Sequence, residues 1–176
     1  VPGFPDTNCC MVIDPQERLW LLWPTILANT WESALMKYNI SSDYMRPDGP
    51  PRWDSHNVLH MKPGESFEPV LREKTEAYVA AMGVPMEGRI KEWAERNYAQ
   101  AADKLTSRLG WFTRARPIFL PDGRLLVGLY SDGFSISLTA YSDDLGATWS
   151  FSEPIVGGGN IQPAFALGRD GAITAL

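Results

Sequence analysis

This sequence predicts an all-β fold of the β-propeller type, cut in one place by an α-helical insertion, and three observations predict it. First, three segments share one pattern, an apolar run, a polar turn and a second apolar run: residues 10–22, 117–127 and 163–173. Second, the turn glycines of the later two, Gly123 and Gly171, stand 48 positions apart. A four-stranded propeller blade occupies roughly 40–50 residues. Third, 176 residues carry 15 Gly, 14 Pro and 7 Trp, a punctuation that favours short strands joined by turns over a helical bundle.

The first hairpin, residues 10–22, pairs Cys10-Met11-Val12-Ile13 with Leu19-Trp20-Leu21-Leu22 across a polar turn. Cys9 and Cys10 are neighbours, too close for an ordinary mutual disulfide, and read as two small residues of a buried strand. Residues 54–61 read as the fourth strand of this first blade. His56 and His60 fall within it, where their spacing does not build a helical metal pair, so no metal site is expected. Asn39-Ile40-Ser41 is a glycosylation sequon, relevant only in a eukaryotic secretory setting.

Arg18 and Arg124 hold equivalent turn positions 106 residues apart, 58 more than one repeat. Most of the excess is the helical insertion, residues 65–110, where Ile90, Trp93, Tyr98, Ala101, Leu105 and Leu109 follow one stripe. Glu87/Lys91 and Glu92/Arg96 are i,i+4 charge pairs on it. The second blade parses as strands 117–120, 125–130, 135–141 and 151–156. In the third of these Ser135, Ser137 and Thr139 alternate with Ile136, Leu138 and Ala140, the pattern of a half-buried strand. Gly157-Gly158-Gly159 leads into a third blade, whose last residues read as a strand that stops without a turn. Together with Val1 at the start, this makes the sequence read as an excerpt of a longer chain, two blades and the start of a third over residues 1–176.

The net charge of −5 argues against a nucleic-acid partner, which calls for a basic footprint. No apolar run approaches the roughly 20 residues of a membrane span.

Between the last two strands of the second blade stands Ser142-Asp143-Asp144-Leu145-Gly146-Ala147-Thr148-Trp149. It fits S-x-D-x-G-x-T-W, the Asp-box of bacterial neuraminidase repeats. Asp144 and Thr148 can hold the turn backbone, Gly146 can take positive φ, and Trp149 can plug the gap between neighbouring strands. Ser41-Ser42-Asp43-Tyr44 with Arg52-Trp53 reads as a degraded copy. With residues 111–117, 129–134 and 152–163, the chain resembles the sialidase (neuraminidase) family with BNR-type repeats along nearly its whole length. The resemblance implies a six-bladed propeller, exo-hydrolysis of terminal sialic acids, no cofactor, and a secreted or periplasmic setting. The Asp-box is structural and does not itself imply catalysis. A non-catalytic glycan- or protein-binding propeller, or an enzyme for another acidic polysaccharide, shares the same architecture.

In such a meander the connections between blades and the loops after each second strand share one face. They carry Asp6, Thr7 and Asn8, then Thr113, Arg114 and Arg116, then Asn160 and Gln162, with Trp31 and Glu32 from one loop and Tyr130, Ser131 and Asp132 from the other. A sialidase must hold a carboxylate, for which the planar fork of arginine is suited: Arg114 first, Arg116 second. Either arginine could instead serve a structural ion pair. Asp6 and Asp132 are the acid/base candidates, since a crowded rim can raise a carboxyl's pKa. Both also read as turn or strand-start residues. Asn8, Tyr130, Asn160 and Gln162 are the remaining substrate-binding candidates, with sialylated or other acidic glycans as partner. The insertion emerges on the same face, where it is expected to wall the pocket.

Overall fold

A computed structural model describes residues 2–159 and 161–176 of the chain. Antiparallel sheets follow one another, each a meander in which every strand pairs with the next. The first contains β1 (Cys10–Ile13), β2 (Leu19–Ile26), β3 (Ala34–Ser41) and β4 (Ser55–Val58). Two helices follow, α1 (Phe67–Ala81) and α2 (Gly88–Ala102). The second sheet contains β5 (Ile118–Phe119), β6 (Leu125–Ser131), β7 (Ile136–Ser142) and β8 (Ser150–Phe151), and a hairpin of β9 (Phe165–Leu167) and β10 (Ile173–Ala175) ends the chain.

The repeat is visible in the register. Leu19 pairs with Ser41 and Leu125 with Ser142, so each serine opens the same turn of its sheet. Each serine hydroxyl accepts the backbone N–H of the aspartate two residues on, Asp43 at 3.2 Å and Asp144 at 3.3 Å. Only the second turn carries the full set of bonds. Ser142 Oγ also accepts the Gly146 N–H at 2.8 Å, and the Asp144 carboxylate accepts the Thr148 N–H at 2.8 Å and its hydroxyl at 2.6 Å. The Thr148 bonds hold the Asp144 carboxyl below its ordinary range. Gly146 sits at φ +85°, a region that disfavours a side chain.

That turn locks the two sheets together. Trp149 meets Tyr38 edge-on at 5.6 Å, and Tyr38 stacks on Trp20 at 5.3 Å while its hydroxyl donates to the Gly146 carbonyl at 2.9 Å. Trp20 is fully buried and donates its indole N–H to Asp14 at 2.9 Å. On the far side, Gly128 in β6 lies against Pro163 and Phe165 of the hairpin segment. With neighbours on both faces, β6 is buried throughout and Ser137 in β7 is only 2% exposed. The half-buried alternation expected of β7 forms in part: Ile136, Leu138 and Ala140 are fully buried, Ser135 is exposed and Thr139 half-buried, but Ser137 is covered as well.

The last strand of the second sheet is also shorter than the expected 151–156. β8 holds two residues, and pairing resumes only at Ile155 against Ser137. Between them Pro154 has no N–H to give the ladder, and Ser152 Oγ takes the Thr139 N–H at 2.9 Å.

The 65–110 segment forms two helices that pack on each other, not one stripe. α1 buries Phe67, Leu71, Thr75 and Val79, and α2 buries Ala94, Asn97, Tyr98 and Ala101. Leu105 and Leu109 lie beyond α2, and Leu105 is exposed. The Asp103 carboxylate takes the N–H groups of Leu105 (3.1 Å) and Thr106 (2.8 Å), an alternative to the helix ladder that ends it there. The i,i+4 ion pair that forms is Glu68–Arg72 at 2.7 Å. Among the described residues none joins Glu87 to Lys91 or Glu92 to Arg96. Of the two cysteines only Cys10 is buried. Cys9 is exposed, as strand alternation requires of neighbours.

Candidate functional site

Tyr130 ends the apolar run of β6, and its backbone exchanges two hydrogen bonds with Phe112, at 2.8 and 2.9 Å. Its ring packs on Phe112 at 5.3 Å, with Trp31 edge-on to Phe112 at 5.4 Å. The side chain is 4% exposed, so what it offers the surface is its hydroxyl. Three side chains from distant segments converge there. Asn8 Nδ2 donates to it at 3.2 Å, and Arg114 and Gln162 lie near enough to pull its pKa down. Burial and then the Asp132 charge raise the Tyr130 pKa, against the opposing pull of Arg114 and Gln162. Asn8 at φ +47° and Gln162 at φ +60° both hold the left-handed conformation, which Asn tolerates and Gln seldom adopts. Such strain persists only where surroundings over-determine it, and it gathers at functional sites.

Asp132 sits at the surface on the loop between β6 and β7. Partial burial and then the Glu32 carboxylate raise its pKa, so the proton is held to higher pH than on an ordinary aspartate. Its loop is a tight turn, as its sequence also allowed: Ser135 at φ +56° returns its N–H to the Ser131 carbonyl at 2.8 Å.

Asp6 behaves in the opposite way. It bridges to Thr25, accepts hydrogen bonds from the Thr25 hydroxyl and from Trp23 Nε1 at 3.1 Å, and pairs with Lys37 at 3.4 Å. Partial burial alone would raise its pKa, but these bonds and the Lys37 charge outweigh it and bring it down to about 2. This runs against the raised pKa expected of an acid at this position. Trp23 and Lys37, cross-strand neighbours with the ammonium 4.7 Å over the indole, are residues that sequence reasoning missed. A lysine within the apolar third strand was the available signal. With Asp6, Asn8 and Cys9, Trp23 lines an open cleft of about 430 Å³.

Arg114 and Arg116 are both exposed, but no hydrogen bond or ion pair among the described residues joins Arg116 to the Tyr130 cluster. Thr113, expected on the rim, is fully buried, with its hydroxyl 3.4 Å from Cys10 Sγ. Asn160 lies outside the described residues. His56 Nδ1 is 3.0 Å from Asn39 Oδ1, and among the described residues no group of three or more His, Cys, Asp or Glu is arranged to hold a metal. No helix among them is long and apolar enough to cross a membrane.

Mostly antiparallel sheet with two helices, the chain has a sialidase-like fold. It aligns with Trypanosoma rangeli sialidase in complex with 2,3-difluoro-KDN over 96% of this chain and 24% of that one, at 13% identity and a TM-score of 0.52. With the same sialidase bound to the inhibitor DANA the values are 94%, 24%, 14% and 0.52. The complex with sialic acid gives 94%, 23%, 13% and 0.50. The chain thus spans about a quarter of the length of these structures, and at such identity the likeness is one of fold. No family model and no curated protein matches the sequence.

Proposed function

We propose that this chain is part of an exo-acting glycoside hydrolase of sialidase type, which removes terminal sialic acid or a related acidic sugar from glycans. In this reading the sheets are two blades and the start of a third of a six-bladed propeller, residues 142–149 are an Asp-box, and residues 65–110 are an insertion that walls the pocket. The observation that carries it is the Tyr130 hydroxyl, bonded by Asn8 with Arg114 and Gln162 near it, beside the Asp132 carboxyl, whose pKa is raised.

Arg114 is the clamp for the sugar carboxylate. Its guanidinium lies near Tyr130, and the N–H groups of its planar fork suit a bidentate, charge-assisted pair. Asp132 is the acid/base that protonates the leaving oxygen. Asn8, Gln162 and the neighbouring Asn160 bind sugar hydroxyls, Tyr130 orders them, and Arg116 contributes long-range positive charge. Asp6 serves as a fixed negative charge that orients Lys37 and Trp23 at the edge of the site. A buried Tyr130 has little room to act as nucleophile, and in sialidases that role belongs to a tyrosine outside the usual two-carboxylate scheme.

The test is hydrolysis of a fluorogenic sialoside by the full-length protein and by its Arg114→Ala variant. Loss of a charge-assisted pair costs about 1.5–3 kcal/mol, so kcat/KM should fall roughly 10- to 100-fold. Activity that survives the substitution unchanged removes Arg114 from the site, and a wild type that cleaves no acidic glycoside overturns the reading.

A further inference from the structure

The second helix of the 65–110 segment does more than border the rim. Asn97 is 2% exposed on α2, and its Nδ2 donates to the backbone carbonyl of Phe134 at 2.9 Å, a buried bond across 37 positions of chain. Phe134 lies two residues after Asp132, in the same tight loop. Its ring is fully buried, stacked on Trp111 at 5.6 Å and edge-on to Phe67 at 5.7 Å, so the loop is pinned by its main chain and by its side chain to one body. Between these anchors Gly133 is closely enclosed: a Cβ there would stand 3.1 Å from both the Gln100 amide of α2 and Glu32 Cγ. Gly110, where the segment returns to the sheets, is stapled as closely, its N–H donating to the Ala34 carbonyl at 2.9 Å.

From this geometry we propose that Asn97 is a positioning residue for Asp132: by holding the Phe134 carbonyl it fixes the loop that presents the Asp132 carboxyl to the Tyr130 cluster. The inference rests on the glycosidase reading for its catalytic consequence, but not for its structural one. A loop of four residues, 132–135, with a left-handed Ser135 and an exposed Asp132 has no sheet partners of its own to hold its apex. An amide donor from α2 supplies the missing constraint, and replacing it leaves a buried carbonyl without a partner. The helix pair is then a buttress whose removal loosens the catalytic loop, where a simple wall would only change the pocket's shape.

The test uses the full-length protein with Asn97→Ala and the isosteric Asn97→Asp, which keeps the volume of the side chain and removes its donor. Hydrogen exchange followed by mass spectrometry should show peptides covering 131–135 exchanging about tenfold faster, with β6, β7 and α1 unchanged. In the folded protein kcat on a sialoside should fall roughly 10- to 100-fold with KM within about twofold, because misplacing a catalytic group acts on the reacting geometry while the sugar is still bound. Loop exchange that stays unchanged, or that rises in step with the whole of β6 and β7, overturns the proposal, and so does a loosened loop with normal kcat. An inactive wild type would refute the glycosidase reading and the catalytic consequence with it. The exchange result would still decide whether Asn97 holds the loop.

Discussion

Replacing Gly146 by alanine tests how the two sheets are joined. Two separate penalties act at this position. The residue sits at φ +85°, where an L side chain costs roughly 1–2 kcal/mol. A Cβ would also stand 2.7 Å from Trp20 Cη2, well inside the 3.5–4.0 Å of a favourable carbon contact. Trp20 cannot easily yield. It is fully buried, stacked on Tyr38 at 5.3 Å and tied to Asp14 at 2.9 Å. Overpacking of a locked core side chain adds roughly 1–3 kcal/mol, for a total of about 2–5 kcal/mol. Gly123→Ala is the internal control, since its φ of +92° carries the first penalty while nothing lies within 4 Å of its Cβ. Urea unfolding followed by tryptophan fluorescence should therefore show Gly146→Ala less stable than Gly123→Ala by about 1–3 kcal/mol. Equal losses in the two variants would show that the Trp20 contact carries no energy, and the account of the sheet junction would fail.

Other expectations follow from single groups. The Asp14 carboxylate has no exposed side-chain surface and accepts bonds from Trp20, Gln16 and Arg18, so Asp14→Ala should cost roughly 2–4 kcal/mol in the same unfolding experiment. Burial works against the charged form there, but those bonds lower its folded pKa. Its stabilisation is thus full above the ordinary carboxylate value of about 3.9 and is lost as pH falls through the folded value, a loss that Asp14→Asn should flatten. Cys9 is exposed, whereas burial pushes the Cys10 thiol up to about 11, so iodoacetamide at neutral pH should modify Cys9 alone by mass spectrometry. Two modified thiols in the folded protein would contradict the burial of Cys10. If Asp132 is the acid, Glu32→Gln removes a charge that raises its pKa and should move the alkaline limb of the kcat/KM profile to lower pH. An unmoved limb would take Asp132 out of that role. Asn39 is 6% exposed within β3 and bonded to His56, so the sequon at residues 39–41 should stay unglycosylated in a secretory host, as intact mass would show.

Much of the architecture was legible in the sequence because its signals are local. The equivalence of Arg18 and Arg124 put Leu19 and Leu125, and hence Ser41 and Ser142, in matching registers. The S-x-D-x-G-x-T-W spacing predicted the bonds of the Ser142–Trp149 turn, each of which spans no more than four residues. Errors arose where a neighbour overrode the local pattern. The Asp103 side chain competed for the end of α2, Pro154 broke the last strand of the second sheet, and Ser137 on the polar face of β7 is covered. Topology alone puts Arg114, Asn8, Gln162 and Tyr130 on one rim, but nothing in the sequence singles out the Tyr130 hydroxyl as the partner of Asn8.

The sequence by itself determined the order of strands, the place of the helical segment and the residue types gathered on one face. Alternation, turn glycines and repeat spacing act over a few residues, and composition carries them. Only the tertiary structure decided which carboxyl's pKa rises and which falls. Asp6 and Asp132 look alike in sequence, yet Thr25, Trp23 and Lys37 hold the first ionised at about 2, while burial and Glu32 raise the second. The reason is that protonation answers to charges and dipoles through space. The Glu32 charge that acts on Asp132 comes from a chain position 100 residues away (132 − 32).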